Sequence, residues 1–531
     1  METMSFPKSL SVPPRRNFAF RNWAGIYSSR AQLYFQPTSV QEVVEIVNEA
    51  RRQKKTVVTI GSGHSPSDMC MTKEWLVNLD KLNQVHEFKE FPEDHYADVT
   101  VDAGMRVYQL SELVGARGYA IQNLGSISEQ SVAGIISTGT HGSSPYHGLV
   151  SSQYVNLTIV NGKGEVVFLD AENEPEIFRA AMLSLGKIGI IVRATIRVVP
   201  AFHIKSTQEV IDFDTVLSRW NSLWTSSEFI RVWWYPYSRK CILWRGVKTE
   251  DPLTAPRRSW WGTSMGRLFY ESLLWFTVKV YPPLTPVVER FVFRMQYGDV
   301  QLGGGDIEVA NSIDSLNMDC LFSQFVDEWA CPLENGLEVL RSLDHFVGQA
   351  AQNKDYYVHV PVEIRCSNTT LPPQVLDTKD RTSVSPGPVY GNVLRPYLDN
   401  TPRREYEPLA DVTNSQLTLY INATMYRPFR SNTPIRKWYT IFEETMAAAG
   451  GKPHWAKNFL GSTSLVPHPE KKESDYADHE MRGMAKRFQE CYGDDLRAFR
   501  KVRREQDPEN VFVSNREWSL RNGIVEAEEL D

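Results

Sequence analysis

A histidine lies within a loop of small residues near the start of the chain. Residues 60–68 read IGSGHSPSD, so His64 is surrounded by glycine, serine and proline. Glycine lets a backbone come close to a ligand, and neighbouring N–H groups can surround an anion. Histidine adds a nucleophilic, titratable ring. The loop therefore predicts a ligand site in which His64 binds a metal, acts as a base or forms a covalent bond to the ligand.

A second segment of small residues is longer. Residues 123–144 read NLGSISEQSVAGIISTGTHGSS, and Val132, Ile135 and Ile136 indicate that much of the segment is packed. Small hydroxyl side chains and bare N–H groups suit a pyrophosphate and a flat ring. We therefore expect a large ligand to lie along this backbone.

Three loop histidines allow a competing interpretation. His64, His141 and His147 could bind zinc or iron together with a carboxylate from Asp68 or Glu129. Their spacing matches no closed metal-binding motif. The metal site stays open as an alternative.

The second half of the chain contains a charged strand. Residues 356–366 read YYVHVPVEIRC, and a period of two places Glu363 and Arg365 on the face opposite Val362 and Ile364. Such a pair is by default a surface salt bridge. In the alternative, Arg365 binds an oxygen atom and Glu363 orients a hydroxyl group.

A compact turn places a histidine and a lysine together. Residues 451–457 read GKPHWAK and follow an alanine-rich helix, so His454 and Lys457 lie close in sequence. The turn is either a helix end with a packed tryptophan or a site where the lysine stabilises a developing anion.

The elements that position these residues are those of an α+β protein. Ser39 and Glu42 form a predicted capping box for a helix. Predicted strands cover residues 55–60, 75–79, 98–103, 155–160, 165–169 and 188–199, and amphipathic helices cover 335–352, 436–449 and 477–497. The G-x-G-x-x-G turn of a Rossmann unit is missing from the sequence.

Length and charge restrict the class of protein further. A chain of 531 residues predicts at least two domains, and a net charge of −6 without a long basic run excludes nucleic acid as the expected partner. The six cysteines form no CxxC pair, which predicts free thiols in a reducing compartment.

One aromatic region approaches the composition of a membrane segment. Residues 259–278 contain Trp260, Trp261, Leu274 and Trp275 but are interrupted by charge, and no run of about 20 apolar residues exists. The region is either a buried helix or an interfacial segment that lies on a bilayer.

Taken together, IGSGHS, NLGSISEQSVAGIISTGTHGSS, EIR and HWAK make the chain resemble the flavin-dependent sugar-lactone oxidases of the vanillyl-alcohol-oxidase type, especially the fungal D-arabinono-1,4-lactone oxidases. The resemblance extends from residues 20–25 to residues 507–512. It implies a two-domain PCMH-type FAD fold, with an FAD-binding domain over residues 20–200 and a larger α+β substrate (cap) domain over 201–531. The segment of about 455–520 is expected to pack back on the flavin.

The resemblance also implies the site. FAD is expected to be covalently bound through His64, and the other implied FAD-binding residues are Ile60, Gly61, Ser62, Gly63, Ser65, Ser126, Ser131, Gly134, Thr138, Gly139, Thr140, His141 and Ile190. The implied substrate-binding residues are Ser126, Glu363, Arg365, His454 and Lys457. Glu363, Arg365, Lys457 and Gly125 are the implied catalytic residues, with Gly125 at the place where dioxygen reaches the flavin.

The implied reaction removes a hydride from the carbon that bears the lactone C2 hydroxyl and passes the electrons to dioxygen. D-Arabinono-1,4-lactone or a related aldono-1,4-lactone then gives D-erythroascorbate or ascorbate and hydrogen peroxide. A dehydrogenase of the same fold that reduces cytochrome or quinone is one alternative, and a metal-dependent lactonase built on the three histidines is another. The resemblance further implies peripheral attachment to a mitochondrial membrane through residues 259–278, on the reducing, cytosol-facing side.

Overall fold

The computed structural model describes residues 10–256, 259–298, 305–318, 320–359, 361–369, 389–392, 394–402, 412–462 and 483–530. Strands are numbered β1–β20 and α-helices α1–α14 in chain order. The described residues form two larger sheets, a smaller sheet at the N-terminal end and a two-stranded pair.

The small N-terminal sheet has four strands in the order β1-β2-β4-β3. The strands are β1 (Arg15–Arg21), β2 (Ser28–Phe35), β3 (Val57–Ile60) and β4 (Trp75–Asn78), and β3 and β2 both run parallel to β4. Helix α1 (Val40–Arg52) connects β2 to β3 and packs Val43, Ile46 and Val47 into the core. The loop with His64 therefore begins where β3 ends.

The start of α1 shows how the local sequence fixes this crossover. Ser39 Oγ accepts a hydrogen bond from the Glu42 backbone N–H at 3.2 Å, as the capping box predicts. The Glu42 carboxylate, however, accepts from the Thr38 backbone N–H at 2.6 Å. The return bond therefore reaches one residue further towards the N-terminus than expected.

The second sheet has the order β5-β6-β10-β8-β9, with β7 paired to β10. Its strands are antiparallel: β5 (Val85–Phe91), β6 (Tyr96–Asp102), β7 (Tyr119–Ala120), β8 (Tyr154–Asn161), β9 (Val166–Asp170) and β10 (Gly189–Pro200). Helices α2 (Val107–Gly115), α3 (Val132–Ser137) and α4 (Pro175–Ala181) belong to the same part of the chain. The second segment of small residues leads into and out of α3.

The third sheet has eight strands in the order β14-β11-β13-β12-β17-β18-β16-β20. They are β11 (His203–Asp212), β12 (Phe229–Tyr235), β13 (Lys240–Thr249), β14 (Asp306–Asn311), β16 (Glu328–Pro332), β17 (Val362–Asn368), β18 (Leu417–Asn422) and β20 (Lys452–Pro453). A separate pair joins β15 (Gln324–Phe325) to β19 (Met425–Tyr426).

The remaining helices follow Pro200. They are α5 (Phe213–Ser218), α6 (Trp220–Leu223), α7 (Ser264–Lys279), α8 (Thr285–Tyr297), α9 (Ser312–Leu316), α10 (Gly336–Gln352), α11 (Arg436–Ala448), α12 (Ala485–Tyr492), α13 (Asp494–Gln506) and α14 (Arg516–Arg521). Apolar side chains from Met69 to Ile524 form one continuous cluster, so the second and third sheets share a core.

The predicted elements are confirmed in most places. All six predicted strands of the first 200 residues are present with ends shifted by a few residues, and so are α10 and α11. The helix predicted over 477–497 is divided at Gly493, whose φ of +49° separates α12 from α13, and residues 477–482 lie outside the described ones. All six cysteines are free thiols.

The strand predicted over 356–366 is only partly correct. Regular pairing begins at Val362, residues 356–359 are not in a strand, and residue 360 lies outside the described part of the chain. Among the described residues, no helix combines the length and the apolar character needed to span a membrane.

Candidate active site and cofactor cleft

A long cleft lies where β3, α3 and β10 meet. Its walls come from segments far apart in the sequence, as is common for a ligand site. Residues 57–65, the start of α3, the turn before β10 and Phe512 line it. Ten of the predicted cofactor-binding residues are among its walls: Ile60, Gly61, Ser62, Gly63, His64, Ser65, Ser131, Gly134, Thr138 and Ile190.

Gly61 has no room for a side chain because the Ser131 hydroxyl lies against it. A Cβ atom at Gly61 would lie 2.3 Å from Ser131 Oγ. That hydroxyl accepts a hydrogen bond from the Gly134 N–H at 3.2 Å at the start of α3. Any side chain at position 61 would therefore displace the α3 cap and fill space that a ligand needs.

His64 is held as a neutral imidazole. Burial lowers the pKa of His64 to about 4, and the positive charges of Arg106 and Lys457 act in the same direction against Glu129. Trp23 stacks on the ring at a centroid distance of 5.4 Å. Within the described part of the chain, His64 Nδ1 has no hydrogen-bond partner. A neutral ring with an uncommitted nitrogen is available as a nucleophile.

A buried charged cluster lies on the third sheet. Asn422 of β18 is in register with both Glu328 of β16 and Glu363 of β17, so these residues form a row across three strands. Arg365 lies two residues beyond Glu363 on the same face, as the period of two predicts. Every residue of β17 is buried.

Glu328 is the centre of the cluster. Its carboxylate lies 3.1 Å from Arg365 Nη2, 3.2 Å from Lys457 Nζ and 3.1 Å from His141 Nε2. Burial by itself would raise the pKa of Glu328, but Lys457, His141 and Arg365 outweigh burial and hold the pKa well below its ordinary value. Burial lowers the pKa of His141, so a neutral imidazole meets an ionised carboxylate.

Arg365 connects the cluster to the segment of small residues. Its Nη1 donates to Ser126 Oγ at 3.0 Å, and its Nη2 lies 3.5 Å from the Glu363 carboxylate. Both Arg365 and Glu363 are less than a tenth exposed. The interpretation of this pair as a surface salt bridge is therefore wrong.

His454 lies beside the same cluster. Its backbone N–H donates to the Glu328 carbonyl at 2.8 Å, and its ring centroid is 5.7 Å from that of His141. Burial lowers the pKa of His454 to about 3. The structure thus assembles Ser126, His141, Glu363, Arg365, His454 and Lys457 around Glu328. The positive charge of Lys457 also lowers the pKa of His64.

Gly125, Gly139 and Thr140 lie apart from the cleft walls. A Cβ atom at Gly125 would lie 2.6 Å from Thr140 Cγ2, and Gly139 has a φ of +70°. Gly125 does not belong to the glycines with positive φ. A conformational need for positive φ is therefore the wrong explanation for glycine at position 125.

The three histidines of the alternative metal site are not brought together. In the described part of the chain, the group of side chains that could hold an ion is His141, Glu328 and His454, and it includes neither His64 nor His147. Because Arg365 and Lys457 already pair with Glu328, a metal cation there would be repelled by two positive charges.

Glu328 and Tyr420 are site residues that sequence reasoning missed. Tyr420 stacks on His141 at a centroid distance of 3.5 Å. Glu328 opens a short apolar strand, and its segment EWACP contains no local motif. Only the register of β16, β18 and β17 brings these residues together, and the sequence gives no signal for that register.

Comparisons with known proteins define the class first. Residues 31–170 match the family model described as FAD binding domain. Cholesterol oxidase from Brevibacterium sterolicum has a similar structure, with a TM-score of 0.73 at 15% identity over 98% of this chain and 100% of that chain. A solvent-stable cholesterol oxidase gives a TM-score of 0.71 at 17% identity. The predicted α+β PCMH-type FAD fold is confirmed, and the protein is a flavoprotein.

Relatives then define the family. Residues 194–522 match the family model of D-arabinono-1,4-lactone oxidase. The D-arabinono-1,4-lactone oxidase of Kluyveromyces lactis is 71% identical over 96% of this chain and 98% of its own length. That of Saccharomyces cerevisiae is 68% identical over 98% and 99%. The chain belongs to the D-arabinono-1,4-lactone oxidase family.

The cleft fits FAD. Gly61 has no side chain and lies against the Ser131 hydroxyl, so its backbone stays open to a dinucleotide phosphate. His64 Nδ1, in the wall of the cleft, is buried without a hydrogen-bond partner among the described residues. Such an unpartnered group is the kind that a polar cofactor satisfies.

Proposed function

We propose that this protein oxidises D-arabinono-1,4-lactone and related aldono-1,4-lactones with dioxygen, giving D-erythroascorbate or ascorbate and hydrogen peroxide. The observation that carries this proposal is the buried cluster of Arg365, Lys457 and Glu363 around Glu328, in a chain with FAD-binding and lactone-oxidase matches over most of its length.

The cluster suits a substrate oxygen that gains negative charge. FAD, when bound, supplies the acceptor for the hydride and the route of electrons to dioxygen. Arg365 and Lys457 provide two positive charges whose orientation Glu328 fixes before substrate arrives. Glu363 Oε1 is buried without a partner among the described residues, so it can accept a hydrogen bond from a substrate hydroxyl.

Oxygen uptake tests the proposal against its alternatives. Purified protein supplied with D-arabinono-1,4-lactone should consume dioxygen and form hydrogen peroxide in equal amounts. A dehydrogenase would instead reduce cytochrome or quinone and consume little oxygen. A lactonase would open the ring without any uptake of oxygen, and this result would contradict the proposal.

We further propose that FAD is covalently bound through His64. The support is a neutral imidazole with an unpartnered nitrogen in the wall of the FAD cleft. His64→Ala should release its flavin on acid precipitation, whereas the unaltered protein should keep a yellow pellet. His147→Ala is the matched control, because His147 is another buried loop histidine with an unpartnered Nε2. Flavin that stays in the His64→Ala pellet would place the bond elsewhere.

The location is a separate proposal: the protein attaches peripherally to an anionic membrane, which the family resemblance suggests is mitochondrial. Helices α7 and α8 present an apolar face to solvent, called here the α7–α8 surface. Its exposed side chains are Trp260, Met265, Leu268, Phe269, Trp275, Phe276, Val280, Tyr281, Val287, Phe291 and Met295.

The opposite faces of the two helices are packed, and this explains why the aromatic region supported both interpretations. Trp261 and Leu274 are buried, and Trp261 contacts Val288 and Val292 of α8. Lys279, Arg290 and Arg294 are exposed next to the apolar face. Apolar side chains with neighbouring cations suit the headgroup region of an anionic bilayer.

Vesicle flotation tests the α7–α8 surface. Polar replacement of Trp260, Leu268, Phe269 and Trp275 together should abolish co-flotation with vesicles that contain about a quarter anionic lipid. The melting temperature should change little, because all four side chains are at least 40% exposed. Val166→Thr with Phe168→Thr is the control, since these exposed apolar residues lie on β9. A variant that floats as before would refute the proposal.

A further inference from the structure

A buried lysine lines the cofactor cleft. Lys187 is 2% exposed and lies in the turn that precedes β10. Among the described residues that line the cleft, it is the only lysine or arginine. Lys187 is therefore the one candidate in this cleft for the positive charge that binds a diphosphate group.

The Lys187 ammonium has one hydrogen-bond partner in the described structure, and the Asp507 carboxylate acts on its charge from further away. Its Nζ donates to the Phe512 carbonyl at 2.8 Å, and no ion pair involves it within the described part of the chain. An ammonium group has three N–H donors. Burying such a charge with one neutral acceptor is costly unless another partner is present.

The carbonyl that accepts this bond is itself fixed. The Asp507 carboxylate accepts hydrogen bonds from the Val511 and Phe512 N–H groups at 2.8 Å each. The Val511 carbonyl accepts from the Val57 N–H at 2.7 Å, at the start of β3. Lys187 is thus held between the C-terminal segment and the strand that leads to His64, in a wall of the cleft.

The other polar groups of the cleft carry no net charge. They are backbone N–H groups, serine and threonine hydroxyls, the Gln130 amide, the Cys70 thiol and the uncharged ring of His64. Arg106 lies close to Gly61, but its guanidinium pairs with Asp80. Among the described residues that line the cleft, Lys187 is therefore the one cation that can face the two negative charges of an FAD diphosphate.

We propose that Lys187 is a cofactor-binding residue whose ammonium group is the counter-charge for the phosphates of FAD. The proposal rests on FAD as cofactor and is independent of which lactone is the substrate. A bond to Phe512 alone would need only a neutral donor. Two of the three ammonium donors remain for phosphate oxygens, while the Asp507 carboxylate acts on the charge without a hydrogen bond to it.

The proposal has a pH dependence with a definite sign. The charged groups around Lys187 are Cys70, Asp507 and Arg503, and burial lowers the pKa of Lys187 to about 8. Burial raises the pKa of Cys70 to about 11 and lowers that of Arg503 to about 10. Because only protonated Lys187 attracts phosphate, FAD affinity should fall as the pH rises through about 8.

Reversible binding gives the test. In a His64→Ala protein stripped of flavin, Lys187→Met should raise the Kd for FAD by about tenfold to a hundredfold, the usual value of a charge-assisted hydrogen bond. The Kd for riboflavin, which lacks phosphate, should stay within about twofold. Lys187→Arg should recover most of the FAD affinity, and Lys89→Met, at an exposed lysine, serves as the control.

Three results would overturn the inference. An unchanged FAD Kd in Lys187→Met would show that the charge is not used. An equal loss for FAD and riboflavin, together with a lower melting temperature, would assign Lys187 a purely structural role. If neither the unaltered protein nor the His64→Ala parent binds FAD, the cofactor assignment fails and the Lys187 proposal fails with it. FAD binding by the parent assigns any further loss in Lys187→Met to Lys187.

Discussion

Arg365→Lys is expected to lower kcat/KM for D-arabinono-1,4-lactone by about a hundredfold to a thousandfold, the usual effect of removing one preorganised donor. Lysine keeps the positive charge but loses the planar fork. In the structure that fork donates from Nη1 to Ser126 and from Nη2 to Glu328 at the same time. A single ammonium cannot reproduce both directions, so the substrate oxygen would meet a misplaced charge.

The lysine variant is preferable to alanine because Arg365 is buried. Arg365→Ala would remove the cation that lies 3.5 Å from Glu363 and leave that carboxylate without it. Breaking a buried pair in this way costs about 3–5 kcal/mol of unfolding free energy, so lost activity and lost folding could not be separated. Arg365→Lys keeps the charge and should remain folded.

Replacement of a second buried arginine by lysine is the control for the packing that Arg365→Lys loses. Arg503 is 1% exposed, and it pairs with Glu529 and Asn510 outside the charged cluster. Arg503→Lys should lower the melting temperature by an amount similar to Arg365→Lys and leave kcat unchanged. Full turnover by Arg365→Lys would show that this side chain does not touch the reacting oxygen, and the assignment of Arg365 would be lost.

The sequence predicted the fold well where its signals are local. The cap at Ser39 and the glycines around His64 specify a helix and a tight loop by neighbouring residues alone. A period of two correctly placed Glu363 and Arg365 on one face of a strand. The alternation of side chains along a strand does not show whether other parts of the protein cover the polar face. In the structure both faces of β17 are buried.

Glu328 and Lys187 were not predicted, because they reach their sites through contacts between segments that are distant in the sequence. Glu328 lies beside Arg365 because β18 separates β16 from β17, and neither strand encodes that order. Lys187 likewise meets Phe512, which is 325 residues away. The small-residue segments identified the ligand, but only the packed sheet shows which charges surround it.

Gly125→Ala is expected to slow the reoxidation of the reduced enzyme by dioxygen at least about tenfold, while reduction by lactone stays within about twofold. The family resemblance implies that Gly125 lies where dioxygen approaches the flavin. A methyl group excludes a small molecule from a close-packed site because proteins have few voids larger than a water molecule. The two half-reactions can be measured separately by stopped flow.

A methyl group at position 125 would also contact Thr140, and the test must separate this contact from the access of dioxygen. The new Cβ would lie 2.6 Å from Thr140 Cγ2, so Gly125→Ala also displaces Thr140. Thr140→Ser deletes that methyl group and keeps the hydroxyl. In the Gly125→Ala/Thr140→Ser protein the added methyl has room, and any remaining loss of oxygen reactivity comes from the methyl group itself.

The four proteins together separate gating from packing. If Gly125 admits dioxygen, the double variant should still reoxidise slowly, and Thr140→Ser alone should react as the unaltered protein does. If the effect is only a clash, Thr140→Ser should restore the reoxidation rate of Gly125→Ala, together with its melting temperature. Activity with an artificial electron acceptor should persist in every variant. Because φ at Gly125 is not positive, alanine fits the backbone there, and the rate of reoxidation reports the space beside residue 125 rather than a distorted chain.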